Sequence, residues 1–267
     1  MEKYDVKFKK KFGQNFLKDD SVVKKIVELC NITKNDLVIE VGPGGAILTR
    51  QLAKVAGNVL AYEIDEDLKE ELSKKLNGIS NVEIVYKDFL ESNILEDTKK
   101  YKYENIYFVS NVPYYITTPI VMKLIDSNIK FEKICMMVQK EVADRFSTSC
   151  GNKAYGSITV LLNYYYDVNY EFFVSRDEFI PAPNVDSAII SFKEKPEKIY
   201  LKNKDFFDTI VRDSFQFKRK NIRNNLKKYD LDKVLSVLSR YGYDLSVRAE
   251  QLDISIFVEL ANELFDE

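Results

Sequence analysis

Leu37-Val38-Ile39-Glu40-Val41-Gly42-Pro43-Gly44-Gly45 is an apolar run of strand length that breaks directly into a glycine-rich turn. Leu37 to Val41 carry one charge and are bounded by turn residues, which is the pattern of a strand buried on both faces. The glycines permit a sharp strand-to-helix reversal and let the backbone come close to a ligand. The segment from about Ala46 to Ala56 then has helical spacing, with Gly57 as its C-terminal stop.

The same alternation continues outward from this unit. Upstream, Asp19-Asp20-Ser21 supplies N-cap candidates for a helix through Cys30, with Val22, Val23, Ile26, Val27 and Leu29 at helical spacing. Downstream, Val59–Ile64, Val82–Tyr86, Ile106–Val109 and Ile134–Val138 are further strands. Asp65 caps a helix ending near Gly78, Thr117/Thr118-Pro119 opens another, and one more follows from Lys140. A helix-like stretch at Ser157–Tyr165 and strand-like runs near Val168–Val174 and Ser187–Phe192 close the series. Strands alternating with helices predict an α/β fold, a doubly wound, mostly parallel Rossmann-like sheet.

The charged, proline-bearing stretch Lys193–Lys198 reads as a linker. Beyond it only helical periodicity remains, carried by Phe206/Phe207/Ile210/Val211, Leu231/Val234/Leu235/Leu238 and Ile256/Phe257/Leu260/Leu264. The expected organisation is a catalytic domain over 1–196, with a basic tail over 1–12, and a small all-helical C-terminal domain over 197–267.

Composition narrows the chemistry. The 267 residues include no histidine, which excludes Ser-His-Asp and Cys-His arrangements and any metal site built on histidine. Three widely spaced cysteines suggest neither a disulfide framework nor a zinc site, so no metal is expected. No apolar run is long enough for a secretory signal or a membrane span, and a cytoplasmic location follows as the expectation. Net charge is only −2, yet Lys218, Arg219, Lys220, Arg223, Lys227 and Lys228 cluster with Asp213 as the nearby acid, and Lys3, Lys7, Lys9, Lys10 and Lys11 crowd the N-terminus. These are two basic patches, suited to phosphate contact or to a solvated face.

In open α/β sheets ligands bind beyond the carboxyl ends of the strands. The polar residues there are Gly42/Gly44, Glu63, Asp88 and Asn111. Glu63 falls roughly 20 residues after the glycines, where an acid accepts both hydroxyls of a ribose. Asp88 ends the next strand, where a carboxylate can accept from an adenine amino group. Each acid alone is also what a solvated strand end looks like, but three at successive strand ends form a site for an adenosine moiety. The dinucleotide pattern is incomplete, since Ile47 stands at its last glycine, and no triphosphate loop is present. A glycine turn beside an acidic strand end suits a positively charged cofactor, S-adenosylmethionine, better than a pyrophosphate.

Asn111-Val112-Pro113-Tyr114 closes the fourth strand. By itself it could be a turn. It also contains what a flat, amino-bearing ring requires: an acceptor for the amino hydrogens, a rigid corner and an aromatic face.

Taken in order, Gly13-Gln14-Asn15-Phe16-Leu17, Glu40-Val41-Gly42-Pro43-Gly44, Glu63-Ile64-Asp65, Asn111-Val112-Pro113-Tyr114, Phe179–Ala188, Ser214–Lys220 and Arg248-Ala249-Glu250 resemble the small-subunit rRNA adenine dimethyltransferases of the KsgA type. The resemblance spans nearly the whole chain. It implies transfer of two methyl groups to each of two adjacent adenosines in the 3′-terminal hairpin of 16S rRNA, within an immature 30S subunit, by an enzyme expected to be a monomer. It places S-adenosylmethionine against Asn15, Leu17, Gly42, Glu63, Asp88 and Asn111, with Gly44 added from the turn.

The resemblance implies that the target adenine lies between Tyr114 and Phe179, its amino group toward Asn111 and the Val112 carbonyl, with Pro113 fixing the corner. Lys218, Arg219, Lys220 and Arg223 are the expected RNA contacts. Residue by residue, Phe179 could instead be a core residue, and Gln14-Asn15 a helix cap. Val112, Gly45-Ala46-Ile47 and Ala182 depart from the usual family residues without touching a proposed contact atom. Two other functions fit parts of the pattern: an erythromycin-resistance type methyltransferase acting on 23S rRNA, and a binding-only assembly factor.

Overall fold

The computed structural model describes residues 16–18 and 20–265. Its strands are β1 (Phe16–Leu17), β2 (Leu37–Val41), β3 (Asn58–Glu63), β4 (Val82–Tyr86), β5 (Ile106–Asn111), β6 (Lys133–Gln139), β7 (Tyr166–Val174), β8 (Phe179–Ile180) and β9 (Ser187–Glu194). The helices up to the sheet's last strands are α1 (Ser21–Cys30), α2 (Ile47–Val55), α3 (Lys69–Lys75), α4 (Ile94–Thr98), α5 (Thr117–Asp126), α6 (Lys140–Phe146) and α7 (Ser157–Tyr165). After β9 come α8 (Lys204–Ser214), α9 (Ile222–Asn225), α10 (Leu231–Arg240) and α11 (Ile254–Leu264).

Seven strands form one sheet in the order β4-β3-β2-β5-β6-β9-β7, and β1 pairs with β8 in a separate antiparallel ribbon. The pairs β2–β3, β3–β4, β2–β5 and β5–β6 are parallel, whereas β9 runs antiparallel to β6. This is the doubly wound α/β sheet that the alternation predicts. The order reverses between β2 and β5, the topological switch point at which such sheets bind ligands.

Every residue of β2 is buried, because helices cover both faces of the sheet. On one face Val23, Ile26 and Val27 of α1 and Leu48, Leu52 and Ala53 of α2 pack with Val38, Val59, Val109 and Met137. On the same face, beyond α2, Ala46 packs with Leu68 and Leu72 of the α3 region; on the other, Tyr62, Phe89, Phe108 and Phe131 form a chain of ring contacts with centroids 5.2, 5.8 and 6.5 Å apart.

Local details qualify the sequence expectations. Asp20 precedes α1 without capping it by its side chain; its carboxylate instead accepts from Gln51 Nε2 at 2.9 Å and pairs with Lys24 at 3.1 Å. Gly57 is required by proximity rather than as a helix stop: a Cβ there would sit 2.4 Å from the Lys34 carbonyl oxygen. Asp65 does cap, accepting from the Asp67 N–H at 3.2 Å at the start of the turn that leads into α3.

The chain divides into two compact units, one made of the described residues up to Ala143 together with Asn169–Glu194, the other of Asp144–Val168 with the described residues from Lys195 onward. A linear boundary at 196/197 would leave α7 with the sheet. Contacts group it with the helices, because its side chains Thr159, Val160, Leu161, Leu162 and Tyr164 are buried and Tyr164 meets Phe207 of α8 at 5.1 Å. Among the described residues no helix is long and apolar enough to cross a membrane.

Candidate active site

The carboxyl edge of the sheet carries the site because of how β2 and β5 part. Their ladder ends at Ile39 opposite Phe108. Beyond it the Ser110 hydroxyl takes the place of a strand partner, donating to the Val41 carbonyl at 2.6 Å and accepting from the Val41 N–H at 3.3 Å. Both buried backbone groups are thereby satisfied while the strands separate, and a cavity of about 230 Å³ opens between them.

Period-two alternation puts the polar residues on the α1/α2 face of the sheet. Glu40 follows Val38 by two residues, Asn111 follows Val109 by two, and Glu63 follows Val59 by four. All three line the cavity, with Leu17, Gly42, Gly44, Asp88, Val112, Pro113 and Tyr114. Across the sheet order the ligand-facing positions run Asp88, Glu63, Gly42, Asn111 over four adjacent strands. At about 4.8 Å per strand that row is roughly 14 Å long, enough for an extended adenosyl group with a short tail.

The turn after β2 is built by handedness. Gly42 and Gly44 have φ of 74° and 48°, the region open chiefly to glycine, and Ala46 adopts φ 60° just before α2. Gly42 donates to the Tyr62 carbonyl at 2.8 Å and Ala46 to the Pro43 carbonyl at 2.7 Å. Glu63, 4% exposed, accepts from the Gly44 N–H at 3.3 Å and the Asp65 N–H at 2.9 Å. Burial raises its pKa, and those two donors oppose the rise. Asp88 gives one oxygen to the Leu90 N–H at 2.8 Å.

At the far end of the row, the Asn111 side chain makes no hydrogen bond with another described residue, and Val112 is buried. Tyr114 is anchored through its hydroxyl to Ser187 Oγ at 2.6 Å, which fixes its ring at the cavity wall; burial raises its pKa and the Ser187 contact opposes that.

The structure brings together every described residue of the expected cofactor site and the whole Asn111–Tyr114 segment. Asn15 lies outside the described residues. Phe179 is 1% exposed, belongs to the hydrophobic cluster and is not among the cavity's lining residues. Its strand β8 pairs with β1, Leu17 opposite Phe179, so the structure does not bring it together with the Asn111–Tyr114 segment. Lys218, Arg219, Lys220 and Arg223 are exposed in the helical unit.

Three features escape a reading by strand ends. Tyr115, 58% exposed, also lines the cavity; its pKa is raised by burial first and then by the charges of Asp88 and Glu63. The doubled tyrosine at 114–115 was a visible signal. Ser110 is one residue before a motif and carried none. Glu40 is 1% exposed; burial, reinforced by Glu63 and opposed by the nearby Thr49 hydroxyl, pushes its carboxyl up to about 8. Neither Glu40 Oε2 nor Thr49 Oγ1 completes a well-formed hydrogen bond.

This donor set fits S-adenosylmethionine. It consists of carboxylates, an amide and a glycine cradle, with an orphaned carboxyl oxygen on a residue of the cavity wall and Lys87 as the cation among its lining residues. Such a wall suits a ribose, an amino-bearing ring and a positive centre, and offers little to a pyrophosphate.

Comparison with known proteins adds the family. The family model described as ribosomal RNA adenine dimethylase matches residues 5–266. The chain is 41% identical over 273 residues to the ribosomal RNA small subunit methyltransferase A of Streptococcus pneumoniae serotype 2 (strain D39 / NCTC 7466), covering 99% of this chain and 94% of that one. It is 40% identical over 276 residues to the protein of that name from Listeria monocytogenes serotype 4a (strain HCC23), covering 100% and 94%. Among solved structures, a dimethyladenosine transferase from Plasmodium falciparum superposes with a TM-score of 0.77 at 27% identity, covering 92% of this chain and 95% of that one. The 23S rRNA methyltransferase ErmE superposes with a TM-score of 0.72 at 28% identity, covering 94% and 99%.

Proposed function

This chain belongs to the ribosomal RNA adenine dimethylase family, and from that premise we propose that it methylates two adjacent adenosines in the 3′-terminal hairpin of 16S rRNA. S-adenosylmethionine is the methyl donor, and each exocyclic amino nitrogen receives two methyl groups. The observation that carries the reading is the convergence of Gly42, Glu63, Asp88 and Asn111-Val112-Pro113-Tyr114 on one cavity. The substrate is the rRNA of an immature 30S subunit, met by a cytoplasmic monomer whose helical unit contacts RNA through Lys218, Arg219, Lys220 and Arg223.

The residues divide the work as follows. Asp88 accepts from the cofactor's adenine amino group, Glu63 from its ribose hydroxyls, and the Gly42–Gly44 backbone, Leu17 and Asn111 hold the remainder, with Asn15 added by resemblance. Bound there, the cofactor supplies a methyl group on a positively charged sulfur. The target adenine leaves its stack to enter the cavity. Tyr114, held by Ser187, supports the ring face; base–aromatic stacking of this kind is worth about 1–3 kcal/mol.

An exocyclic adenine amine is a poor nucleophile because its lone pair is delocalised into the ring. The Asn111 side-chain oxygen and the Val112 carbonyl accept its two hydrogens, favouring a pyramidal nitrogen with the lone pair free. Pro113 restrains Val112 to extended conformations and so aims that carbonyl. Alignment then accounts for much of the rate. The nitrogen's proton becomes acidic only after attack, so water takes it and no histidine is needed.

The likeness to ErmE favours a second reading, methylation of an adenine in 23S rRNA. The test is methyl transfer from labelled S-adenosylmethionine to immature 30S particles and, in parallel, to protein-free 23S rRNA. Labelling of the 30S particles at adjacent adenosines is expected; labelling of 23S rRNA alone would overturn the proposal. Absence of transfer to either would favour a binding-only assembly factor.

A further inference from the structure

The turn between α8 and α9 holds an aromatic ring among unpaired cations. Phe217 is 53% exposed, and it is followed directly by Lys218, Arg219 and Lys220, also exposed. Among the described residues, Lys218, Arg219, Lys220 and Arg223 have no ion-pair partner. Asp213, the acid of this segment, is engaged by Lys228 at 2.9 Å and by the Tyr229 hydroxyl. A solvated face of this length ordinarily interleaves both signs; here the neighbouring acid is neutralised from the other side.

A turn presenting three successive cations, with Arg223 just beyond it in α9, would be expected to spread apart, yet one buried side chain holds it. Asn225, 5% exposed, accepts from the Phe217 N–H at 3.0 Å and donates to the Ser214 carbonyl at 2.7 Å. Its amide also reaches the Phe217 and Lys220 carbonyls at 3.4 and 3.5 Å. A further bond runs from the Lys220 N–H to the Phe217 carbonyl at 2.8 Å. Phe215, two residues before the exposed ring, turns the other way and meets Tyr155 at 6.1 Å and Phe257 at 5.7 Å. The turn is thus anchored on one side, and Phe217 is held out on the other, without a ring partner among the described residues.

An exposed ring flanked by unpaired cations matches the two surfaces of an unpaired nucleotide, a flat base and a phosphate. We propose that the Phe217–Lys220 turn is a nucleotide clamp in which the Phe217 ring stacks on an unpaired RNA base, Lys218, Arg219 and Lys220 take the flanking phosphates, and Asn225 is the positioning residue that presents them together. This rests on the rRNA substrate proposed above and adds to it a base contact outside the methylation cavity.

The test uses the full chain and two fluorescein-labelled RNAs of equal length, a stem-loop with an unpaired adenosine-containing loop and a blunt duplex, with affinities read by anisotropy over a series of KCl concentrations. Phe217→Leu is expected to weaken stem-loop binding by about 5- to 100-fold while leaving duplex binding and the salt slope unchanged. Phe217→Trp should retain stem-loop affinity. Lys218→Ala should weaken both RNAs and reduce the salt slope by about one. Asn225→Ala should lose both contributions while S-adenosylmethionine binding is kept, which also reports that the chain is folded.

Equal stem-loop affinity for wild type and Phe217→Leu, or an equal loss on the duplex, overturns the clamp. If wild type binds neither RNA, the clamp falls, while the rRNA reading stands or falls by methyl transfer to 30S particles. If wild type binds and methylates 30S particles but Phe217→Leu is without effect on RNA affinity, the clamp alone falls.

Discussion

Glu40 should make the protein less stable as pH rises, and Glu40→Gln should remove that loss. The carboxyl lies in β2 with 1% exposure, with burial as the main cause that pushes its pKa from 4.5 to about 8. In the unfolded chain it titrates near its ordinary value, so between pH 4.5 and 8 the folded chain holds a proton that the unfolded chain has released. Its contribution to stability is therefore full below pH 4.5, falls as pH rises toward 8, and is level above it. At about 1.36 kcal/mol for each pH unit, the loss across that window is about 5 kcal/mol. A glutamine side chain at this position is the neutral isostere of the protonated acid and carries no such slope.

Urea denaturation at about pH 5, 6, 7, 8 and 9 measures it. Titrating groups other than Glu63, whose charge acts on Glu40, contribute equally to both proteins, so the stability of Glu40→Gln minus that of wild type reports Glu40 and its coupling to Glu63. This difference should be small at the acid end of the series and grow by several kcal/mol toward the alkaline end. Parallel curves, differing by a constant across that range, would refute the assignment of a proton to Glu40.

Three further substitutions separate the parts of the site. Asn111→Ala should lower methyl transfer at saturating cofactor by about 10²- to 10³-fold, the cost of removing one aligned acceptor, with RNA affinity largely kept; single-turnover transfer at the wild-type rate would remove Asn111 from its role. Glu63→Gln should weaken S-adenosylmethionine binding by about 10- to 100-fold through loss of a charged acceptor, read by calorimetry, and an unchanged dissociation constant would take Glu63 out of the site. Ser110→Ala leaves the Val41 N–H and carbonyl without their side-chain partner and should cost about 2–6 kcal/mol of stability at roughly 1–3 for each of the two buried groups; a midpoint in urea equal to wild type would show that β2 and β5 part without it.

The sheet was legible because each strand is a short apolar run ended by a polar residue, and the same residues that end the strands line the site. Glu63, Asp88 and Asn111 could be placed without coordinates since the carboxyl edge of such a sheet is where ligands bind. What was not legible depends on partners far away in sequence. Ser110 and Val41 are 69 residues apart, and nothing local to either signals the contact. Asp20 looked like a cap because a cap is judged from neighbours, whereas its carboxylate is claimed by Gln51, 31 residues on. Phe179 shows the same limit: a two-residue strand has no periodicity from which to tell its faces, and its burial follows from pairing with Leu17.

Among the polar side chains of the cavity wall the acceptors Glu40, Glu63, Asp88 and Asn111 outnumber the one cation, Lys87, and this accords with a chain that carries out the reaction without histidine. Methyl transfer to an amine moves positive charge from sulfur to nitrogen, and neither atom must lose a proton before the bond forms. What the protein must provide is a row of acceptors that keeps a cation favourable from one end to the other. Glu63 ends β3 and the Asn111 amide ends β5, with β2 and its glycine turn between them and Val112 directly after Asn111; in the proposed reaction a nearly neutral amine is oriented there without being deprotonated. A histidine poised near neutral pH would add a second positive charge beside the developing one. In the mechanism we propose, position replaces acid–base chemistry: Ser110 lets the strands part, Pro113 fixes the Val112 carbonyl, and the hydrogen bond between Tyr114 and Ser187 holds the ring on which the base would stack.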